Sequence, residues 1–259
     1  MNISEGRDAA VVAAIAAAAG PSLLDVHRDG GHHRSVVTVV GEEAARASAV
    51  EAVARLDLRH HQGAHPRFGV VDVVPFVPLG RSTMDDAVAA RDRFCRWAAE
   101  DLDLPCFTYG PERSLPEVRR RAFADLLPDV GPGRAHPTAG AVAVGARTLL
   151  VAYNVWLAVP DLAVARRIAA AVRGPAVRAL GLAVGDGVQV SMNLIDPSTV
   201  GPAQLSDAVA AQAEVARCEL VGLIPAEVLA AVDRRRWAEL DLSEDRTLEA
   251  RLAAAGLRP

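Results

Sequence analysis

The chain has 259 residues, of which 51% are hydrophobic and 23% charged, and its net charge is −4. This balance is typical of a folded globular protein, and the acidic total gives no electrostatic basis for binding nucleic acid or an anionic membrane. All 28 basic residues are arginine, which excludes a lysine Schiff base and a P-loop lysine. The three cysteines form no close pair and no apolar run is long enough to span a bilayer, so we expect a soluble cytoplasmic protein.

The apolar pattern of the first half predicts alternating helices and strands. In chain order we expect a helix at 8–19, strands at 22–27 and 34–40, a helix at 42–56, a polar loop at 57–68, a strand at 69–77, a helix at 83–102 and a strand at 105–109. A stretch rich in proline, glycine and arginine, 110–140, contains one short helix, 116–126, and precedes a strand at 141–145.

The second half repeats this rhythm in a complete form. Its elements are a strand at 148–157, a helix at 161–173, strands at 176–184 and 188–195, a helix at 202–216 and a strand at 218–224. That order, β-α-β-β-α-β, is the ferredoxin-like split βαβ unit. The chain therefore predicts an α+β fold with two such subdomains, 1–147 and 148–259.

The first half shows the same unit without a visible opening strand. Two interpretations stay open. Either Met1-Asn2-Ile3 is the tail of a longer strand, or the protein has a slightly smaller first sheet.

Six of the seven histidines lie between His27 and His65, and the densest group is in the polar loop 57–68. His61 and His65 have a spacing that suits zinc on a helix, but Gly63 and Pro66 make a helix improbable there, so we predict no metal. A loop before a strongly apolar strand is where a rigid sheet presents reactive groups, and histidine can exchange a proton near neutral pH.

Arg67 lies two residues after His65, and Arg34 follows the Gly-Gly-His-His turn. Arg34 and Arg67 are candidates for binding substrate carboxylates with two hydrogen bonds each. Asp72 lies inside the apolar strand, where it either faces solvent or orients a neighbour such as a histidine.

A second informative loop precedes the strand at 141–145. Glycines allow its backbone to approach a flat ligand closely, although a flexible surface loop has the same composition. Its members are Gly131, Pro132, Gly133, Arg134, Ala135, His136, Pro137, Thr138, Ala139 and Gly140.

Several segments resemble the formiminotransferase domain family, which includes glutamate formiminotransferases and the N-terminal domain of formiminotransferase-cyclodeaminase. The most specific is HQGAHPRFGVVDVVPF at 61–76, similar to the family's H-K-G-E-H-P-R-M-G-A-x-D-V-x-P-F. The others are NISEGR at 2–7, LLDV at 23–26, the arginine of RSV at 34–36, AYN at 152–154, QVSMNL at 189–194 and ELVGLIP at 219–225.

The resemblance implies a fold of two ferredoxin-like subdomains with a cleft between them, a homodimer, and transfer of a formimino group from N-formimino-L-glutamate to N5 of tetrahydrofolate. It makes His65 the general acid/base, with Asp72 as a candidate to fix its tautomer. It also assigns folate contacts to loop 131–140. Tetrahydrofolate is then a cosubstrate, with no bound cofactor and no metal, and the product 5-formimino-tetrahydrofolate needs another enzyme to process it.

Three positions depart from the family pattern. The family's glutamate before the catalytic histidine is Ala64, its lysine is Gln62, and the second aspartate of L-L-D-V-D is His27. Charges beside the site are thereby lost, which leaves two alternatives open: a folate-dependent formyltransferase that uses N-formyl-glutamate, or a non-catalytic folate-binding homologue.

Overall fold

Short apolar strands alternate with alanine-rich helices in the computed structural model of the protein, which describes residues 1–63 and 66–257. The chain divides into two compact units, one of residues 1–148 and one that starts at Leu149. Each unit has a sheet of its own, with six strands in the first and four in the second. This confirms the predicted α+β class. No helix within the described ranges is long and apolar enough to cross a bilayer.

The first unit is a split βαβ sheet with two further strands. Its order is β2-β3-β1-β4-β6-β5, with β4, β6 and β5 parallel to one another. The elements are β1 (Asn2–Ile3), α1 (Ala9–Ala17), β2 (Leu23–Asp29), β3 (Arg34–Val39), α2 (Glu42–Arg55), β4 (Val71–Phe76), α3 (Met84–Leu102), β5 (Cys106–Tyr109), α4 (Leu115–Arg121) and β6 (Val142–Ala146).

The opening strand is present, and it is only two residues long. Asn2 is in register with Val36 of β3 and Val73 of β4, and Ile3 with Ser35 and Val71. The first six elements therefore follow the complete β-α-β-β-α-β order, with the short β1 at the centre of the sheet between β3 and β4.

Both faces of β4 and its parallel neighbours are covered. The larger core, on one face, includes Ile3, Val74 and Phe94. On the other face a smaller cluster packs Phe107 against Val118 of α4, and both side chains are fully buried. Burial on two sides explains why the apolar residues of β4 do not alternate with solvent-facing polar residues.

The second unit is a four-stranded antiparallel sheet of order β10-β7-β9-β8. Its elements are β7 (Val151–Leu157), α5 (Leu162–Val172), β8 (Val177–Val184), β9 (Gly187–Leu194), α6 (Pro202–Ala210), β10 (Val215–Val221), α7 (Ala226–Ala230) and α8 (Leu248–Ala254). Tyr153, Ile168, Met192 and Leu220 lie in its core, and the Tyr153 hydroxyl donates to the Leu240 carbonyl at 2.8 Å.

The strand predicted at 218–224 is shifted to Val215–Val221, the strand predicted at 148–157 begins at Val151, and two predicted helices are too long. The helix expected at 202–216 ends at Ala210. The residues that follow favour helix locally, but from Val215 onward β10 pairs with β7, and this pairing outweighs the local preference. The helix expected at 116–126 ends at Arg121, since Phe123 has a φ of +60° that a helix does not allow.

Candidate active site

Two loops identified in the sequence meet at one end of the first sheet, where β4 and β6 begin. We call 57–68 the histidine loop and 131–140 the glycine loop. They lead into β4 and β6, which are parallel neighbours, so both loops reach the same end of the sheet. The Leu58 amide donates to the Thr138 carbonyl at 2.7 Å, and the Ala141 amide donates to the Phe68 carbonyl at 2.9 Å.

Glycine makes this close approach possible. A Cβ at Gly69 would lie 1.8 Å from the Ala141 carbonyl oxygen, and one at Gly140, which has a φ of +74°, would lie 2.2 Å from the Phe68 oxygen. No side chain fits at either distance, so these glycines let the two loops contact each other through their backbones.

Asp72 is the buried centre of the described part of the site. Its side chain is 0% exposed and accepts hydrogen bonds from Arg34 Nη1 at 2.6 Å and Arg119 Nη2 at 2.6 Å. Arg119 Nη1, at 3.3 Å, and the Phe68 amide, at 3.0 Å, donate to the other carboxylate oxygen. The interpretation of Asp72 as a solvent-facing residue was therefore wrong.

Opposing effects set the charge of this carboxyl group. Burial raises the pKa of Asp72, but Arg34 and Arg119 outweigh it and lower that pKa to about 2. The carboxylate is thus ionised at neutral pH. Two half-buried guanidinium groups against one buried carboxylate leave this cluster with one excess positive charge, which suits an anionic ligand nearby.

The described ends of the histidine loop are attached to the rest of the unit. Arg67 donates to the carbonyls of His61 at 2.9 Å and Gly63 at 3.0 Å, so in this structure its guanidinium supports the loop backbone. A Cβ at Gly63 would lie 2.5 Å from the His32 carbonyl oxygen, which shows how closely the loop packs on the β2–β3 turn. Ala64 and the predicted acid/base His65 lie outside the described residues.

A pair of stacked histidines joins this loop to the β2–β3 turn. The rings of His33 and His61 are 4.1 Å apart at 20°, and His61 Nε2 lies 2.8 Å from the His33 carbonyl. A carbonyl only accepts, so His61 carries its proton on Nε2. His33 Nδ1 accepts from the Gly6 amide at 3.1 Å and lies 3.2 Å from Glu5.

The glycine loop is organised by its own histidine. His136 Nδ1 accepts from the backbone amides of Ala139 at 2.9 Å and Thr138 at 3.3 Å, which fixes the turn before β6. Gly133 has open space around its α-carbon, and Arg134 is exposed. The loop thus has a fixed base and an exposed tip that a ligand can reach.

Sequence reasoning brought forward Arg34 and Asp72, which are in contact, but missed Arg119. It lies in a run of three arginines, 119–121, that look alike. Helical spacing could have separated them, because Leu115, Val118 and Arg119 fall on one stripe and Val118 is fully buried. Within residues 1–63 and 66–257, no group of three His, Cys, Asp or Glu side chains could hold a metal ion.

Comparison with known proteins defines the class. Residues 1–147 match the family model described as the formiminotransferase domain, N-terminal subdomain. The chain therefore belongs to the formiminotransferase family and is a transferase of one-carbon groups.

Its relatives cover nearly the whole chain. It is 34% identical to the glutamate formimidoyltransferase of Streptococcus pyogenes, over 88% of both chains. It is 32% identical to the glutamate formimidoyltransferase of Thermoplasma acidophilum, over 98% of this chain and 96% of that protein. The formimidoyltransferase-cyclodeaminase of Sus scrofa is 32% identical over 88% of this chain, which corresponds to 50% of that longer protein.

Proposed function

We propose that this protein is a glutamate formimidoyltransferase that moves the formimino group of N-formimino-L-glutamate to N5 of tetrahydrofolate, in histidine degradation and one-carbon metabolism. The observation that carries the proposal is the match to two proteins of that name along almost the full length of each. The described residues of the histidine loop support it, because they pack on the β2–β3 turn at Gly63 and bind Asp72 through the Phe68 amide.

The reaction needs one proton to be removed and one to be delivered. The N5 lone pair of tetrahydrofolate attacks the formimino carbon and forms the new C–N bond. His65 accepts the N5 proton and then donates it to the glutamate nitrogen as the old C–N bond breaks, so that glutamate leaves as a neutral amine. Histidine suits both steps because its pKa lies near neutrality.

Other residues bind and orient the two substrates in this proposal. Arg34 and Arg67 provide positive charge for the substrate carboxylates, and the exposed tip of the glycine loop contacts the folate. Asp72 orients the histidine loop, and its contact with His65 stays a prediction. Tetrahydrofolate acts as a cosubstrate, and alignment of two substrates supplies much of the acceleration. A homodimer also stays a prediction.

The first prediction concerns His65. Replacing it with alanine removes the proton carrier, so we expect turnover to fall by roughly 10²–10⁴-fold with the fold retained. The measurement is formation of 5-formimino-tetrahydrofolate by mass and absorbance. His60→Ala is the matched control, because the His60 side chain is 82% exposed and its nearest acid, Asp57, is 3.8 Å away. Full activity of His65→Ala would refute the assigned role.

The same assay separates the alternative functions. N-formyl-glutamate is supplied in parallel, since Gln62, Ala64 and His27 replace charged residues of the family pattern. A formyl-folate product would keep the site and change the donor. Binding of tetrahydrofolate without product from either donor would show a binding protein.

A further inference from the structure

Arg119 reaches the histidine loop from a different element, helix α4. Its Nη2 and Nη1 contact the two oxygens of Asp72 at 2.6 and 3.3 Å, and its guanidinium lies over the Phe68 ring, 5.6 Å from the centroid. Phe68 is the last residue of the histidine loop, three positions after His65. One side chain of α4 thus contacts both the aromatic ring that ends this loop and the carboxylate of the strand that follows it.

We propose that Arg119 is a positioning residue for formimino transfer: through Asp72 it fixes the loop segment that carries His65. This inference rests on the proposed function. The connection runs from the guanidinium to the carboxylate and from the carboxylate to the Phe68 amide, which donates to Asp72 Oδ1 at 3.0 Å. Neither the sequence motifs nor the family resemblance pointed to α4.

Arg34 does not duplicate this arrangement. It contacts only Oδ2 of Asp72, through Nη1, while its Nε donates to the Asn2 side chain at 3.3 Å. Oδ1, the oxygen that accepts from Phe68, has Arg119 as its charged partner. Without Arg119 the buried carboxylate is free to turn toward Arg34, which would lengthen or break its hydrogen bond to the Phe68 amide.

Helix α4 has its own attachment to the sheet. Val118 is fully buried against Phe107, and the Ser114 hydroxyl accepts from the Glu117 amide at 3.3 Å at the start of the helix. We therefore expect the helix to stay docked when Arg119 is replaced, and mainly the orientation of Asp72 to change.

The test compares Arg119→Gln and Arg119→Lys with wild type in the formimino-transfer assay. A displacement of about 1 Å at a catalytic group costs up to roughly 10²-fold, so we expect kcat of Arg119→Gln to fall tenfold or more and KM to change less. Lysine keeps the charge but cannot contact both oxygens of Asp72, so Arg119→Lys should also be slow. Wild-type kcat in Arg119→Gln, or full rescue by Arg119→Lys, would overturn the proposal.

Two further measurements exclude a merely structural effect. In a His65→Ala background, Arg119→Gln should change the residual rate by less than about twofold, because residues that act as a unit are not additive. An equal fold-loss in both backgrounds would contradict the proposal. The matched control is Arg121→Gln on the same helix, since Arg121 forms surface pairs with Glu117 and Asp125 and should leave kcat unchanged.

Amide exchange tests the connection without using activity. The Phe68 amide should exchange faster in Arg119→Gln than in wild type or Arg121→Gln, because it loses an oriented acceptor. Unchanged exchange would refute the connection. Inactive wild-type enzyme would refute the proposed function, while the exchange comparison would still decide whether Arg119 fixes this segment.

Discussion

His33 and His61 face each other with their charges suppressed. Burial is the largest cause that lowers the pKa of each ring, and Arg67 adds to it, while Glu5 acts in the opposite direction. The unfolded chain binds protons at its ordinary histidine pKa of about 6.5, above the folded values. The stability that the two neutral histidines contribute is therefore fully present above that pH. It falls as the pH drops from about 6.5 toward the lowered pKa values of the folded protein.

We predict a lower urea midpoint at pH 5.5 than at pH 7.5, measured by circular dichroism. His61→Gln keeps a donor for the His33 carbonyl but cannot titrate, so its midpoint should depend less on pH. His60→Gln serves as control because His60 is exposed and should keep the wild-type dependence. Identical pH dependence in wild type and His61→Gln would show that the stacked pair does not contribute.

The lowered pKa of Asp72, about 2, acts in a separate and more acidic window. Its ion pairs stabilise the fold above the ordinary aspartate pKa of about 3.9 and are lost as the pH falls from there toward 2. A loss of stability below pH 4 therefore reports carboxylates such as Asp72 and not the histidine pair.

At this scale the sequence predicted the residue types of the site better than their contacts. Arg34 and Asp72 were identified from their positions, but their direct pairing depends on which face of β4 the side chain of Asp72 occupies. Because both faces of β4 are covered, its sequence does not alternate between apolar and polar residues, and such an alternation would have indicated the face on which Asp72 lies. Arg119 comes from an element 47 residues beyond Asp72, and no local pattern links the two.

At the scale of the elements, the backbone contact between the two loops can be tested by a single substitution at Gly69. Gly69→Ala would place a Cβ 1.8 Å from the Ala141 carbonyl and force β4 and β6 apart at their starts. We expect a loss of about 1–3 kcal/mol in the free energy of unfolding, as for other overpacked sites. Urea unfolding measures it.

Gly174→Ala is the matched control for this prediction. Nothing lies within 4 Å of a Cβ at Gly174, and its φ is not in the left-handed region, so the substitution should be close to neutral. Equal stability of the two variants would show that the loops tolerate separation.

Most elements could be predicted because periodicity and caps agree with the tertiary structure. Thr83 was expected to begin α3, and its hydroxyl accepts from the Asp86 amide at 3.2 Å in a capping box. The boundaries of α6 and β10 could not be predicted, since residues 211–214 are alanine, glutamine and glutamate, which favour helix locally. Pairing with β7 decides the start of β10, and that contact is not local.

For the molecule as a whole, four strands of the first unit have the topology of the second unit, and the two units have separate cores. The second core lies between Val151 and Leu242, and the two cores of the first unit use residues 1–144. The strand order β10-β7-β9-β8 of the second sheet corresponds to the order β4-β1-β3-β2 within the first, so that β7 matches β1 and β10 matches β4. The sequence predicted this parallel from the order of elements, although the halves have no evident repeat in their residues.

Separate cores predict that residues 149–259 fold without the first unit. We expect a single cooperative urea transition by circular dichroism. Tyr153→Phe removes the hydroxyl that donates to the Leu240 carbonyl, so it should destabilise this fragment by about 1 kcal/mol. Val190→Asp places a charge in the core and should abolish the transition. A fragment without a cooperative transition would contradict the prediction.

The short central strand also determines how the first sheet would respond to force. Its β2–β3 hairpin joins the remaining strands through β1, where two residues are paired on each side. Met1 and Val37 exchange two further backbone hydrogen bonds, and the Ser4 amide donates to the Val70 carbonyl. In the second sheet, the neighbouring central strands β7 and β9 are paired at six positions. Tension across the first sheet would therefore act on β1, and the Arg34–Asp72 ion pair, which joins β3 to β4 across that strand, would be the side-chain contact that resists it.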